Sequence, residues 1–291
     1  MADRLAVKLL ATIFTSALFV SGCAVTRSLD LSGMSFSETP LVGKVVWYDL
    51  ITEDISSARR FYGELFGWTF EGTQGPGGGD YTVARSGNVY VAGMVSVPSG
   101  SGSRTLSRWL PYVSVADVDA ALARSVRGGA EVAVGARNVA LGRVAAIVDP
   151  EGAVVGLARS SVGDPDDRTT APGRGRPVWT ELLSRAPVQA ASFYEQVAGY
   201  DARTIERRGG EYTLLSNGRA DRAGILAMPA EDWDPVWLTY FGVDDPAATA
   251  ARAEALGGRV LVPVSSELRD GSMAVLEDPS GAILVVQKLN R

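Results

Sequence analysis

Histidine is absent from all 291 residues, and cysteine occurs once, at Cys23. The first absence removes every His-based triad, facial triad and imidazole proton shuttle. The second removes an internal disulfide framework and any Cys-rich zinc or iron–sulfur site. Basic charge is in slight deficit, 28 Lys and Arg against 33 Asp and Glu, and the arginines are spread along the chain. No basic stripe is left for a nucleic-acid partner. The glycine run Pro76-Gly77-Gly78-Gly79 has no Gly-Lys-Ser/Thr after it and precedes a strand pattern, so it reads as a hairpin loop rather than a phosphate loop. What is present is an ordinary globular composition, 46% hydrophobic and 21% charged, which suffices for a buried core in each of two domains.

The longest apolar run, Leu9 to Val20, follows Arg4 and Lys8. As a helix it would span about 18 Å, short of the roughly 30 Å of a bilayer core. A charged start and a short apolar segment read as a secretory signal over residues 1–22. Val20-Ser21-Gly22-Cys23 then resembles the bacterial lipobox, in which the cysteine is diacylated and becomes N-terminal. That resemblance implies a lipoprotein anchored in the bacterial cell envelope through Cys23, on the outer membrane or another extracytoplasmic face. The competing reading is a plain signal peptide with an incidental thiol. Residues 23–41, rich in Ser, Thr and Gly, read as a tether.

The remainder is a repeat within a repeat. Val46-Trp47 recurs as Val178-Trp179, Phe61-Tyr62 as Phe193-Tyr194, Gly79-Asp80-Tyr81-Thr82 as Gly210-Glu211-Tyr212-Thr213, and Asp149-Pro150-Glu151-Gly152 as Asp278-Pro279-Ser280-Gly281. The near-constant offset marks two duplicated domains, 42–160 and 176–290, joined by a Pro/Gly/Asp/Arg linker over 161–175. Each divides again. Lys44–Leu50 is a strand pattern, and Thr52 is expected to cap a helix whose Ile55, Ala58, Phe61 or Tyr62 and Leu65 share a face. Strand patterns follow at 81–85 and 89–97, and the order restarts at Leu110. The second domain repeats it, with helices expected over 187–198 and 246–256. The architecture is α+β: two tandem domains, each a pair of βαβββ units.

With Phe-Tyr inside the first helix and Asp-Pro-x-Gly before the last strand, the chain resembles the glyoxalase/bleomycin-resistance/extradiol-dioxygenase (vicinal oxygen chelate) superfamily. The resemblance implies an eight-stranded cup per domain with the ligand on its concave face. Enzymatic members carry three or four metal ligands there, usually His and Glu. Carried over position by position, those sites fall on Trp47 and Trp179, Ala92 or Gly93 and Ala223 or Gly224, Leu110 and Leu238, and Gly156 and Val285. None of these side chains coordinates a cation. No metal or other cofactor is therefore expected, and the family's metal-dependent chemistry with it.

Candidate ligand contacts remain. Strand alternation places Trp47 with Asp49 and Trp179 with Glu181 on one face. Tyr112 and Tyr240 occupy matching places, as do Tyr81 and Tyr212, and Met94 and Met228 come close. A wall of Trp, Tyr and Met suits flat or apolar ligands. The competing reading is that the aromatics fill the core and the carboxylates bond to backbone or water. Trp109 and Trp237 fit either a lid or a domain contact. Three functions stay open: a lipid-anchored protein sequestering a small aromatic or amphipathic molecule, with a monomer sufficient because each half completes its own cup; an enzyme of the glyoxalase/dioxygenase class using relocated carboxylate ligands or acid–base catalysis through Asp49 or Glu181; and a structural lipoprotein scaffold with filled cups.

Overall fold

The computed structural model describes residues 31, 34–74, 80–98, 105–167, 173–207, 210–218, 220–229 and 233–289. The proposed signal segment, Cys23 and the loop at Pro76–Gly79 lie outside the described residues.

The first domain runs β1 (Val45–Thr52), α1 (Ile55–Phe66), β2 (Thr69–Gln74), β3 (Asp80–Ser86), β4 (Val89–Ser96), β5 (Arg108–Ser114), α2 (Val118–Arg127), β6 (Glu131–Val139), β7 (Gly142–Val148) and β8 (Val154–Ser160). The second repeats it with β9 (Pro177–Ser184), α3 (Pro187–Ala198), β10 (Asp201–Arg207), β11 (Gly210–Asn217), β12 (Ala220–Ala227), β13 (Val236–Val243), α4 (Pro246–Ala255), β14 (Arg259–Val262), β15 (Met273–Glu277) and β16 (Ile283–Lys288). Each domain forms one eight-stranded mixed sheet, ordered β2-β3-β4-β1-β5-β8-β7-β6 and β10-β11-β12-β9-β13-β16-β15-β14. The α+β architecture of two paired-βαβββ domains is the one the sequence implies.

Local details depart from the sequence reading. Thr52 ends β1, and the cap of α1 is Asp54, whose carboxylate accepts from the Ser57 N–H at 2.9 Å. An ionised side chain two residues on, in extended backbone, fits the orphan N–H groups better. Strands β2 and β10 carry no clear apolar alternation because they are sheet edges; β10 is largely exposed. The downstream end of the expected tether is docked. Phe36 bridges Pro165, and buried Asp164 accepts from the Leu41 N–H at 2.7 Å and the Ser114 hydroxyl at 2.6 Å.

The two sheets pack through their helix-bearing faces, α1 against α4 and α2 against α3. One core cluster joins Leu50, Tyr62, Met94 and Trp109 of the first domain to Phe241 and Val286 of the second. The other joins Val113 and Leu157 to Tyr194, Ile225 and Trp237. The motif residues make this joint. Tyr62 donates to Asp278 of the other domain at 3.0 Å and accepts from the Trp109 indole at 3.0 Å. Tyr194 does the same with Asp149 at 2.8 Å and Trp237 at 2.9 Å. Phe193 packs so closely on Gly128, after α2, that a Cβ there would come within 3.0 Å of its ring; Phe61 stands likewise over Gly258, after α4. Each Phe-Tyr pair is therefore a docking element for the opposite domain, and Trp109 and Trp237 are domain-contact residues. Equivalent residues Tyr48 and Thr180 bond to each other at 2.9 Å, marking an approximate two-fold axis. Burial at this joint pushes the Tyr48 phenol up to about 12. Both concave faces are left pointing away from the joint.

Candidate functional site

Register fixes which residues face each cup. Asp49 lies between Gly93 on β4 and Leu110 on β5, and Tyr112 on β5 lies beside Gly156 on β8. In the second domain Glu181 lies between Gly224 and Leu238, and Tyr240 beside Val285. Strand alternation then sends Leu50 and Met94 to the opposite face, where both are fully buried in the joint. Met94 is thus a core residue, and its place among the ligand contacts is withdrawn. Met228 stays on the concave side of the second domain, half-buried at the margin of its apolar cluster. The structure brings Trp47, Asp49 and Tyr112 together in one cup, and Trp179, Glu181 and Tyr240 in the other.

In both cups the acid is buried and held by phenols. Asp49 accepts from the Trp47 indole at 2.9 Å and the Tyr81 hydroxyl at 2.5 Å, and Tyr112 also bonds to it. Burial raises the Asp49 pKa above the ordinary carboxylate value, and these donors oppose the rise. Tyr81 and Tyr112 are pushed well above the usual phenol range, by burial first and by the adjacent Asp49 second. They are donors at neutral pH, not bases. Glu181 accepts from Tyr212 at 2.5 Å and from Tyr240, and Trp179 donates to Tyr212 at 2.9 Å.

Phenols and, in the first cup, the acid crowd the positions where the resemblance places metal ligands. A Cβ on Gly93 would overlap the Tyr81 hydroxyl and the Asp49 carboxylate, and one on Gly224 would overlap the Tyr212 hydroxyl. The ambiguous fourth-strand position is therefore glycine in both cups, with Ala92 buried in the joint. A Cβ on Gly156 would overlap the Tyr112 ring. Each cup offers one carboxylate, already committed to phenols. Among the described residues no group of three or more His, Cys, Asp or Glu gathers to hold a metal ion. The donor set does not fit a divalent cation with three or four protein ligands.

The cups differ in their cations and their filling. Glu181, wholly inaccessible, forms an ion pair with Arg269, which comes from the segment between β14 and β15 and is not among the sequence candidates. The Arg269 guanidinium lies 5.2 Å from the Tyr240 ring centre, and Arg207 lies 4.0 Å from that of Tyr212. Leu183, Leu238, Met273, Val275 and Val285 pack into one cluster across this cup, with Val262 and Leu268 against it. The first cup carries smaller side chains over β6–β8. Ala133, Ala146, Val154, Leu110, Tyr112 and Arg137 border a shallow cleft whose interior is about 20 Å³, room for a group about the size of one water. The Arg137 charge acts on Tyr112 and lowers its pKa against the larger effects of burial and Asp49. No local pattern could have announced Arg269, because its contact with Glu181 spans 88 residues.

Comparison with known proteins agrees with this fold. Residues 44–157 match the model of the Glyoxalase/Bleomycin resistance protein/Dioxygenase superfamily, and residues 179–286 match that of the Glyoxalase-like domain. The chain is 38% identical over 247 residues to the "Putative glyoxylase CFP32" of Mycobacterium bovis, covering 83% of this chain and 93% of that protein. It is 31% identical over 260 residues to the anthracycline biosynthesis protein DnrV of Streptomyces peucetius, covering 85% and 94%. Among solved structures, the 2,3-dioxygenase LapB of Pseudomonas sp. KL28 superposes with a TM-score of 0.57 at 10% identity, over 88% of this chain and 94% of that one. The Mn(II)-bound glyoxalase of Novosphingobium aromaticivorans gives 0.55 at 16% identity, over 85% and 82%. At such identities these two show a shared fold. The chain belongs to the glyoxalase/bleomycin resistance protein/dioxygenase superfamily, as a member with two tandem domains.

Proposed function

We propose that the first cup binds a small, flat, largely apolar molecule, and holds it rather than transforming it. One observation carries this reading: the cleft at Ala133 and Ala146 in the first domain has, at the register-matched places in the second, Leu261 and Val275 packed in an apolar cluster. Apolar walls with a few convergent polar groups are the usual make-up of a small-molecule site. Tyr112 supplies aromatic surface in the cleft, with Trp47 opposite it on the same concave face and Asp49 bonded to its hydroxyl. The Streptomyces relative is named for the biosynthesis of anthracyclines, which are flat aromatic compounds, and this supports the ligand class. Native mass spectrometry of the protein purified from its host, against its denatured mass, is the test. An organic adduct lost on Trp47→Ala supports the reading, and a stoichiometric divalent cation contradicts it.

A second reading, acid–base catalysis, is favoured by the raised pKa of Asp49 beside two donor phenols. Turnover of an α-oxoaldehyde or catechol abolished by Asp49→Asn would establish it in place of sequestration. The lipobox-like Val20-Ser21-Gly22-Cys23 supports an envelope location with the cup presented outside the membrane. Labelling with radioactive palmitate in a bacterial host, lost on Cys23→Ala, is the expected result; a label that persists overturns the anchor.

A further inference from the structure

Resting on the reading of the first cup as the ligand site, we propose that its ligand carries a protonated amine or guanidinium that pairs with Asp49 and lies against the Tyr112 ring. The second cup supplies the pattern. There the protein's own Arg269 pairs with Glu181 and rests on Tyr240. It is delivered by the segment between β14 and β15, whose backbone is left-handed at both Arg269 (φ 47) and Asp270 (φ 55). Neither is glycine, so each conformation is strained. The chain accepts that strain to place a cation beside a buried acid.

The first cup keeps the receiving half of this arrangement and lacks the delivering half. Trp47, Asp49, Tyr81 and Tyr112 stand where Trp179, Glu181, Tyr212 and Tyr240 stand, with the same neighbours across the strands. By contrast, β6 and β7 are joined by a tight turn at Val139–Gly142, and the offset that aligns Asp149 with Asp278 puts Ala140 at the place of Arg269. Among the described residues, no Lys or Arg forms an ion pair with Asp49. Its bonds from the Trp47 indole and the Tyr81 and Tyr112 hydroxyls come from neutral donors, and Asp49 is only 6% exposed. A buried carboxylate gains most from a cation placed against it, and the aromatic face of Tyr112 adds a cation–π contact. The cleft reaches Tyr112, which bonds to Asp49, and Arg137 borders it too, so a cation entering there does so against one like charge.

The experiment uses three probes of one shape on the full chain at pH 7: phenethylamine, 2-phenylethanol and phenylacetate, by isothermal titration calorimetry. The amine is expected to bind at least tenfold more tightly than the alcohol. Asp49→Asn should erase that preference, so that amine and alcohol bind alike. Arg137→Gln should tighten the amine several-fold, and Glu181→Gln should leave the amine-to-alcohol ratio unchanged. Equal affinity for amine and alcohol, or a preference for phenylacetate, overturns the cation while leaving the cup as a ligand site. Binding of none of the three at millimolar concentration overturns the cation and the cup together.

Discussion

The two cups began as the same object and have reached opposite ends of one design. Both hold a Trp-x-acid strand, two tyrosines on the acid and glycine at the fourth-strand position. In the second, the acid is answered by an arginine from its own chain, and branched side chains close the concave face. In the first, Ala133 and Ala146 border a cleft beside Tyr112, which bonds to the acid. The acid-and-phenol cluster alone thus does not define a binding site. What separates a site from a filled scaffold is a handful of side-chain volumes and one charge.

The largest expected effect breaks the filled cup. Arg269→Ala leaves Glu181 buried without its cation, and chemical denaturation should show a loss of about 3 kcal/mol, whereas Asp49→Asn in the first cup should stay within about 1 kcal/mol. Similar losses from both would erase the distinction drawn here. Next come the two cross-domain locks. Tyr62→Phe and Tyr194→Phe each strand an indole N–H and a carboxylate, and each should cost about 1–3 kcal/mol, by nearly equal amounts. A large inequality would mean that the joint does not share the symmetry of its hydrogen bonds.

Converting one cup toward the other sharpens the comparison further. Ala133→Val with Ala146→Val should lower affinity for an aromatic probe at least tenfold while shifting the unfolding free energy by no more than about 1–3 kcal/mol. Undiminished binding would move the site elsewhere. The smallest effect is in pH. Burial raises the Asp49 pKa, so its protonated form suits the fold better. Its contribution to stability is present below the ordinary carboxylate pKa and is lost as pH rises through the raised value. Binding of an amine runs the other way, because it needs the ionised acid and fades as pH falls through that value. Asp49→Asn should flatten both profiles; an unchanged stability profile would place the titration on Asp149 or Asp278, which burial also raises.

Most of the architecture was legible because duplication supplies its own check. Phe-Tyr and Asp-Pro-x-Gly each occur twice, in register, with strand and helix periods between them. What they do was not legible. Tyr62 meets Asp278 across 216 residues, and no periodicity encodes a partner in the other domain. The edge strands β2 and β10 escaped for a different reason: an exposed edge has little apolar alternation to read. In the cups, strand alternation placed Trp47, Asp49, Trp179 and Glu181 on the concave faces. Met94 failed the same test, one residue beyond Gly93 and hence on the other face. Arg269 could not be found this way, since it reaches its acid from an irregular segment between strands.

The indole N–H signals of the six tryptophans offer the most direct test of the central claim, that the first cup is open to a ligand and the second is not. Trp47 donates to Asp49 and Tyr81, and Trp179 to Tyr212, so each reports on its own cup. Titration of phenethylamine into the nitrogen-15-labelled protein should move the Trp47 resonance and leave Trp179 in place. Movement of Trp179, or of both equally, would contradict it.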